Sequence, residues 1–203
     1  MNSASTSFVL AYHGCDEKIA KRVLSGRDTL SPSQNDYDWL GDGIYSWEHN
    51  AQRAFEYATE LSATPRNHRQ RIQTPSVLGA IVDLGSCLNL LDSSFIPLLS
   101  EAYSSLVELS SATKMPLAEN TGGPDRLIRK LDCAVMRMLH RMREASGRAP
   151  FETVRAAFIE GDRPYPNAGF AMKNHIQICV RDVRCIKGYF RPLDDAGKPL
   201  RFK

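Results

Sequence analysis

Short apolar runs of strand length, separated by helical segments, limit what this chain can fold into. Phe-Val-Leu-Ala-Tyr at residues 8–12 and the run at 77–84 are both short and rich in β-branched or aromatic residues, which predicts strands. Two further runs, at 175–180 and 185–190, predict two antiparallel strands after a turn. The sequence therefore predicts an α+β protein.

Four segments have helical spacing. The segment 16–26 ends in a C-terminal glycine, and Asn50 is placed to cap a second helix that carries small apolar residues on one face. Segments 93–109 and 125–143 also place apolar residues at intervals of three and four, with Pro97 in the first turn of the former. The polar, glycine-rich stretch 27–43 predicts a loop, and loops often carry functional residues.

The composition predicts one globular domain over residues 1–203. With 42% hydrophobic and 24% charged residues the chain can bury a substantial core, and no apolar run approaches the length needed to span a bilayer. The start has no basic leader, and the 5 cysteines are odd in number and contain no Cys-x-x-Cys pair. We therefore expect a cytoplasmic protein with reduced thiols, no metal site and no membrane partner.

Basic residues cluster in two places although the net charge is only +3. One cluster lies at 66–71 and the other along the helix predicted at 125–143. Such a helix could hold phosphates of a nucleic-acid substrate, but a solvated helix face is the commoner explanation for this pattern.

Three short blocks remain that could carry chemistry, since the sequence has no P-loop, zinc motif or Gly-x-Ser-x-Gly elbow. His13-Gly14 follows the first predicted strand. Gly43-Ile44-Tyr45 follows the loop, and the next helix has the form Arg53-Ala54-x-x-Tyr57-Ala58.

In order and spacing these blocks resemble the NAD-dependent ADP-ribosyltransferases of the diphtheria-toxin and poly(ADP-ribose) polymerase class. The resemblance implies a split antiparallel β-sandwich, built from two small sheets with surrounding helices and a central NAD cleft. It implies that His13 binds a ribose hydroxyl, that the Gly14 backbone pairs with the nicotinamide carboxamide, and that Tyr45 stacks on the nicotinamide ring. Ala54 and Ala58 would let their helix approach the pocket, and Tyr57 would form a second aromatic wall.

The chemistry gives independent reasons for these residue types. A flat nicotinamide ring needs an aromatic face and hydrogen-bonding groups that recognise its carboxamide. Its departure leaves an oxocarbenium-like ribose, which a nearby carboxylate can stabilise.

The sequence departs from the family at that carboxylate. The family's glutamate opens a late strand, and here His175 takes its place, with Gln177 on the same face of the strand. Either His175 or Gln177 contacts the ribose through neutral hydrogen bonds, or Glu160 in the preceding loop supplies the acid. We favour Glu160. In the family, loss of the glutamate accompanies transfer of single ADP-ribose units.

The resemblance thus implies mono-ADP-ribosylation of a macromolecule, either a protein or a nucleic acid such as RNA. The resemblance further implies a toxin of a toxin–antitoxin or phage-defence system, with an antitoxin protein as a possible partner. An inactive NAD- or ADP-ribose-binding module and a nucleic-acid-binding protein remain alternatives. His13 could instead be a hydrogen-bonded structural histidine, and Tyr45 could be a core aromatic. A nucleophilic Cys15 is disfavoured, because a nucleophile needs a base oriented towards it.

Overall fold

The computed structural model describes residues 8–63, 72–200 and 202, which form a mixed α and β fold. The predicted basic cluster at 66–71 lies outside the described residues. In chain order the main elements are β1 (Phe8–Asp16), α1 (Glu17–Leu24), β2 (Ile44–Glu48), α2 (Ala51–Ala63), β3 (Pro75–Asp83), β4 (Cys87–Asn89), α3 (Ile96–Thr113), β5 (Asn120–Thr121), β6 (Ile128–Arg129), α4 (Lys130–Ala145), β7 (Thr153–Phe158), β8 (His175–Val180) and β9 (Ile186–Phe190). The predicted α+β class is confirmed. Among the described helices, none combines the length and the apolar character that a membrane crossing requires.

Seven of the strands form a single sheet in the order β4-β7-β8-β2-β1-β3-β9. Neighbouring strands are antiparallel except for β4 and β7, which are parallel. The expectation of two separate small sheets was wrong in this respect, because β1 pairs with strands on both of its sides. A separate ribbon of β5 and β6 completes the sheet structure of the described residues.

The sheet is nevertheless divided between β1 and β2. β1 pairs with β3 at every position from Phe8 to Asp16, but it pairs with β2 only at Ala11 and Tyr12. Beyond Tyr12 the two strands separate. The division leaves a cleft between the β9-β3-β1 part of the sheet and the β2-β8-β7-β4 part.

Three apolar clusters cover the sheet. Helix α1 packs through Ala20 and Val23 against residues of β1, β2, β3 and β8. Helices α3 and α4 pack against β4, β7 and β8, and α2 covers β1 near Trp47 and Val77. The elements that border the cleft are therefore each held by a buried apolar contact.

Several predicted boundaries are confirmed. The Asn50 side chain accepts a hydrogen bond from the Arg53 backbone N–H at 2.9 Å and so caps α2. Gly26 has a φ of 72° just beyond α1, and Pro97 lies in the first turn of α3. The segment 27–43 contains no helix or named strand.

Three expectations about the elements were wrong. His13 and Gly14 lie inside β1 rather than in a turn, because β3 pairs with β1 as far as Asp16. β8 and β9 do not pair with each other, since β9 joins the opposite side of the sheet through β3.

The third concerns the start of α4, which begins at Lys130 rather than near residue 125. Residues 128–129 instead pair with β5. The Asn120 side chain accepts hydrogen bonds from the backbone N–H groups of Leu131, at 3.0 Å, and of Asp132, at 3.2 Å. A cap from a distant residue therefore sets this helix end.

Candidate functional site

The cleft between β1 and β2 contains a cavity of about 450 Å³. Six of the seven site residues predicted from the sequence line it. They are His13, Gly14, Tyr45, Tyr57, Glu160 and Gln177. The seventh, His175, is not among its lining residues.

Gly14 presents its backbone to the cleft. The carbonyl of Leu10 accepts a hydrogen bond from His49 at the end of β2, and the N–H of Glu17 bonds towards Thr74 at the start of β3. Backbone groups alternate in direction along a strand, so those of Gly14, like those of Leu10, point to the β2 side. Because β2 has separated from β1 there, one N–H and one carbonyl of Gly14 face the opening.

Glycine is also the only residue type that fits at position 14, beneath α2. A Cβ at this position would lie 2.1 Å from the Ala54 carbonyl oxygen and 3.3 Å from the Ala58 Cβ. The small residues of α2 therefore allow the helix to lie directly against β1, next to the cavity.

His13 connects the two separated strands. Its Nδ1 lies 2.6 Å from the Tyr45 carbonyl oxygen. A carbonyl can only accept, so Nδ1 carries the proton, and the Nε2 of the neutral ring is an acceptor. Burial lowers the pKa of His13, against a smaller opposing effect of this hydrogen bond, so the ring is neutral at pH 7.

The Tyr45 hydroxyl makes two hydrogen bonds to the backbone. Its hydroxyl donates to the Gly41 carbonyl at 2.7 Å and accepts from the Leu40 N–H at 2.9 Å. Burial raises its pKa well above the usual value, so the phenol stays protonated and keeps these bonds. The ring therefore has a fixed position in the cavity wall, while its hydroxyl holds the end of the 27–43 loop.

Tyr57 and Trp47 form the aromatic side near α2. Their ring centroids are 4.9 Å apart, and both residues line the cavity. Tyr57 and Trp47 thus contribute two neighbouring rings to the cavity lining.

Glu160 is buried and paired with Arg53. The Arg53 Nη2 lies 3.2 and 3.3 Å from the two carboxylate oxygens of Glu160, and its Nη1 lies 3.4 Å from Glu60. Both Arg53 and Glu160 line the cavity. Arg53 is a site residue that was not predicted from the sequence. Its spacing with Tyr57 and Glu60, at intervals of four and three, was the available signal that these side chains share a helix face.

The two candidates for a neutral hydrogen bond to the ribose, Gln177 and His175, both lie on β8 but have different surroundings. The Gln177 side-chain oxygen accepts a hydrogen bond from the Trp39 indole N–H at 2.7 Å, at the edge of the cavity. His175 lies outside the cavity, with its ring centroid 5.3 Å from that of Phe158. Its Nδ1 donates to the Lys173 carbonyl at 2.6 Å, and burial lowers its pKa to about 4. Of the two, only Gln177 is in a position to contact a ligand in the cleft.

Helix α4 anchors the loop that borders the cleft. Arg137 donates to the Asp42 carboxylate at 2.6 Å, and Lys130 pairs with Asp36 at 2.8 Å. Arg129 packs over the Phe158 ring with its Cζ 4.4 Å from the centroid. Several cations of the predicted basic helix therefore hold this loop and the cavity edge, rather than forming a continuous solvated face.

Two other kinds of chemistry find no support in this region. Cys15 is buried, and burial raises its pKa to about 12, so its thiolate is strongly disfavoured at pH 7. Within the described ranges no three His, Cys, Asp or Glu residues are grouped as a metal site would require.

Comparisons with known proteins add little to this geometry. No family model matches the chain, and no solved structure matches it significantly. An uncharacterized protein of Methanocaldococcus jannaschii is 51% identical over 37 residues, which are 18% of this chain and 17% of that protein. The similarity is local and carries no information on function.

Proposed function

We propose that this protein is an NAD-dependent mono-ADP-ribosyltransferase that acts on a macromolecular acceptor. One observation carries the proposal. The two strands that bear His13-Gly14 and Tyr45 separate, and the cavity between them is lined by these residues and by Tyr57, Glu160 and Gln177.

The groups of the cleft match the chemistry of a nicotinamide ribosyl unit. A primary carboxamide has one donor face and one acceptor face, which complement the N–H and carbonyl that Gly14 directs to the opening. The Tyr45 and Tyr57 rings offer apolar faces to the nicotinamide. The His13 Nε2, as an acceptor, suits a ribose hydroxyl.

In the proposed reaction, the bond between the ribose C1′ and the nicotinamide nitrogen breaks, and its electron pair leaves with nicotinamide. A nucleophilic atom of the acceptor bonds to C1′ and releases its proton to the solvent or to Glu160. The Glu160 carboxylate stabilises the positive charge that develops on the ribose, and Arg53 positions it. Gln177 provides a neutral contact at the cavity edge.

A second candidate is a binding module that holds NAD or ADP-ribose without chemistry. The observation in its favour is the Arg53–Glu160 ion pair, because a carboxylate already paired with a guanidinium stabilises a cation less well. The two candidates predict the same ligand and differ in nicotinamide release.

The test measures nicotinamide release and transfer of labelled ADP-ribose from NAD, with separate protein and RNA acceptor fractions. The variants are Tyr45→Ala and Glu160→Gln. Tyr103→Ala and Glu101→Gln are matched controls, since both residues are exposed on α3, far in sequence from the cleft residues. Direct binding of NAD is measured for every protein.

We expect label in one acceptor fraction, with loss of at least about 100-fold in both cleft variants, which is the scale of removing a stabilising group. The control variants should match the wild type. Binding of NAD by the wild type without release or label would favour the binding module. Absence of NAD binding by the wild type would contradict both.

A further inference from the structure

A second cavity, of about 300 Å³, lies between α4 and the end of β8. Its lining residues are Asp42, Arg137, His140, Arg141, Glu144 and Arg181. Four of them recur on α4 at intervals of three and four, so they share one helix face. Arg181 follows the last residue of β8 and Asp42 belongs to the 27–43 loop, so three parts of the chain converge here.

The cavity is rich in guanidinium groups. Three arginines face two carboxylates, which leaves one net positive charge. Arg137 pairs with Asp42 at 2.6 Å, whereas neither Arg141 nor Arg181 forms an ion pair with any residue that the structure describes. Arg181 makes one long hydrogen bond to the loop, in which its Nη1 donates to the Asp42 carbonyl oxygen at 3.4 Å. Two cations are therefore free to bind an anion.

Buried polar atoms at the cavity lack protein partners. His140 is only 3% exposed, and neither of its ring nitrogens has a hydrogen-bond partner among the described residues. The Nε of Arg181 is likewise buried without a described partner. A buried donor without a partner is costly, which makes such atoms markers of a binding position.

His140 is neutral at pH 7. Burial, with the positive charges of Arg181 and Arg143, lowers its pKa to about 3. A neutral imidazole has one N–H to donate, so it adds a hydrogen bond to an anion without adding charge.

We propose that this cavity is a binding site for a phosphate group, separate from the cleft between β1 and β2. Guanidinium forks match phosphate oxygens in geometry, and Arg141 and Arg181 supply two of them next to the His140 N–H. The single net positive charge of the lining residues suits one phosphoryl group rather than a long polyanion. The site does not depend on the proposed transferase activity.

Calorimetric titration with inorganic phosphate at low ionic strength tests the site. The variants are Arg141→Gln and Arg181→Gln, and Arg148→Gln is the matched control. Arg148 is an exposed arginine beyond the end of α4 whose Nε donates to Ser146. Parallel titrations with AMP and with a short single-stranded RNA distinguish a phosphomonoester from a phosphodiester source.

We expect saturable binding by the wild type, about tenfold weaker binding by Arg181→Gln, and about three- to tenfold weaker binding by Arg141→Gln, as for the loss of one charged hydrogen bond. Arg148→Gln should bind as the wild type does. Circular dichroism verifies that each variant is folded, and the exposed Arg141 keeps the test valid if Arg181→Gln does not fold. Absence of saturable binding by the wild type would overturn the proposal, as would an equal loss in Arg148→Gln, which indicates diffuse charge attraction.

Discussion

At the scale of single residues, Gly14 has the most demanding surroundings in the cleft. Its position combines two requirements, a backbone turned to the opening and a close approach of α2. The first requirement concerns ligand binding and the second concerns packing, so one substitution tests both.

We expect Gly14→Ala to lower the free energy of unfolding by about 1–3 kcal/mol and to abolish NAD binding, because the new methyl group would displace α2. Gly188→Ala is the control, since a Cβ there would meet no atom within 4 Å. Urea unfolding and NAD titration measure the two effects. Wild-type stability in Gly14→Ala would contradict the packing assigned to α2.

The buried histidines make stability depend on pH. Burial lowers the pKa of His175 to about 4, whereas an unfolded histidine titrates near 6.5. Below about pH 6.5 the unfolded chain therefore binds a proton that the native chain does not, and stability decreases as the pH falls towards about 4.

We expect His175 to make the free energy of unfolding decrease by about 1 kcal/mol per pH unit as the pH falls from about 6 to about 5. The pKa values of His13 and His140 are lowered in the same direction. Urea unfolding at several pH values measures the slope. His175→Gln should reduce it by one histidine's share, and an unchanged slope in that variant would be inconsistent with a buried neutral His175.

At the scale of elements, the 27–43 loop depends on α4 for its position. Tyr45 bonds to Leu40 and Gly41, and the neighbouring Asp42 is held by Arg137. Both partners of this ion pair are partly exposed, so it contributes little to global stability. Its effect should be local.

In Asp42→Asn we expect the backbone amides of residues 38–43 to exchange about five- to tenfold faster, with a global change below about 1 kcal/mol. Hydrogen exchange and urea unfolding measure these quantities. Glu17→Gln removes an acid from the exposed Lys21–Glu17 pair and is the control. Equal exchange of residues 38–43 in the two variants would exclude an anchoring role for the Arg137–Asp42 ion pair.

Local sequence patterns predicted where the helices and strands lie better than they predicted which strands pair with each other. Helix caps such as Asn50 and apolar spacing depend on neighbours in sequence, so α1 to α3 were predicted well. β7 was missed because Arg155, Ala156 and Ala157 are weak strand formers, and its pairing with β4 and β8 supplies the stability. The separate partners of β8 and β9 also lie far away in sequence.

The same limit applies to the candidate site. The blocks around His13, Tyr45 and Tyr57 could be found by their order, and Glu160 by its place before a late strand. The Arg53–Glu160 pair could not, because the residues are 107 positions apart and nothing local connects them. The same holds for Gln177 and Trp39, which only the fold brings together.

At the scale of the whole molecule, the cleft weakens the connection between two parts of the sheet. β1 and β2 are connected by two residue pairs, by the hydrogen bond from the His49 N–H to the Leu10 carbonyl, and by the His13 hydrogen bond to the Tyr45 carbonyl. Arg53 and Glu160 add a contact between α2 and the segment that follows β7. A ligand that contacts Gly14 on one side and Tyr45 on the other would add a further connection across the opening.

If NAD binds in this way, it should stabilise the whole chain, because it binds the native state and not the unfolded one. At a free concentration of about 100 Kd the gain is about 2.7 kcal/mol, which corresponds to a rise of roughly 5–10 °C in Tm for a domain of this size. Differential scanning calorimetry with and without NAD measures the shift. Tyr45→Ala should show little or no rise, because it lacks one wall of the cleft, whereas Tyr103→Ala should rise as the wild type does. A rise of equal size in Tyr45→Ala would mean that NAD binds elsewhere, and the cleft would then lose its assignment as the NAD site.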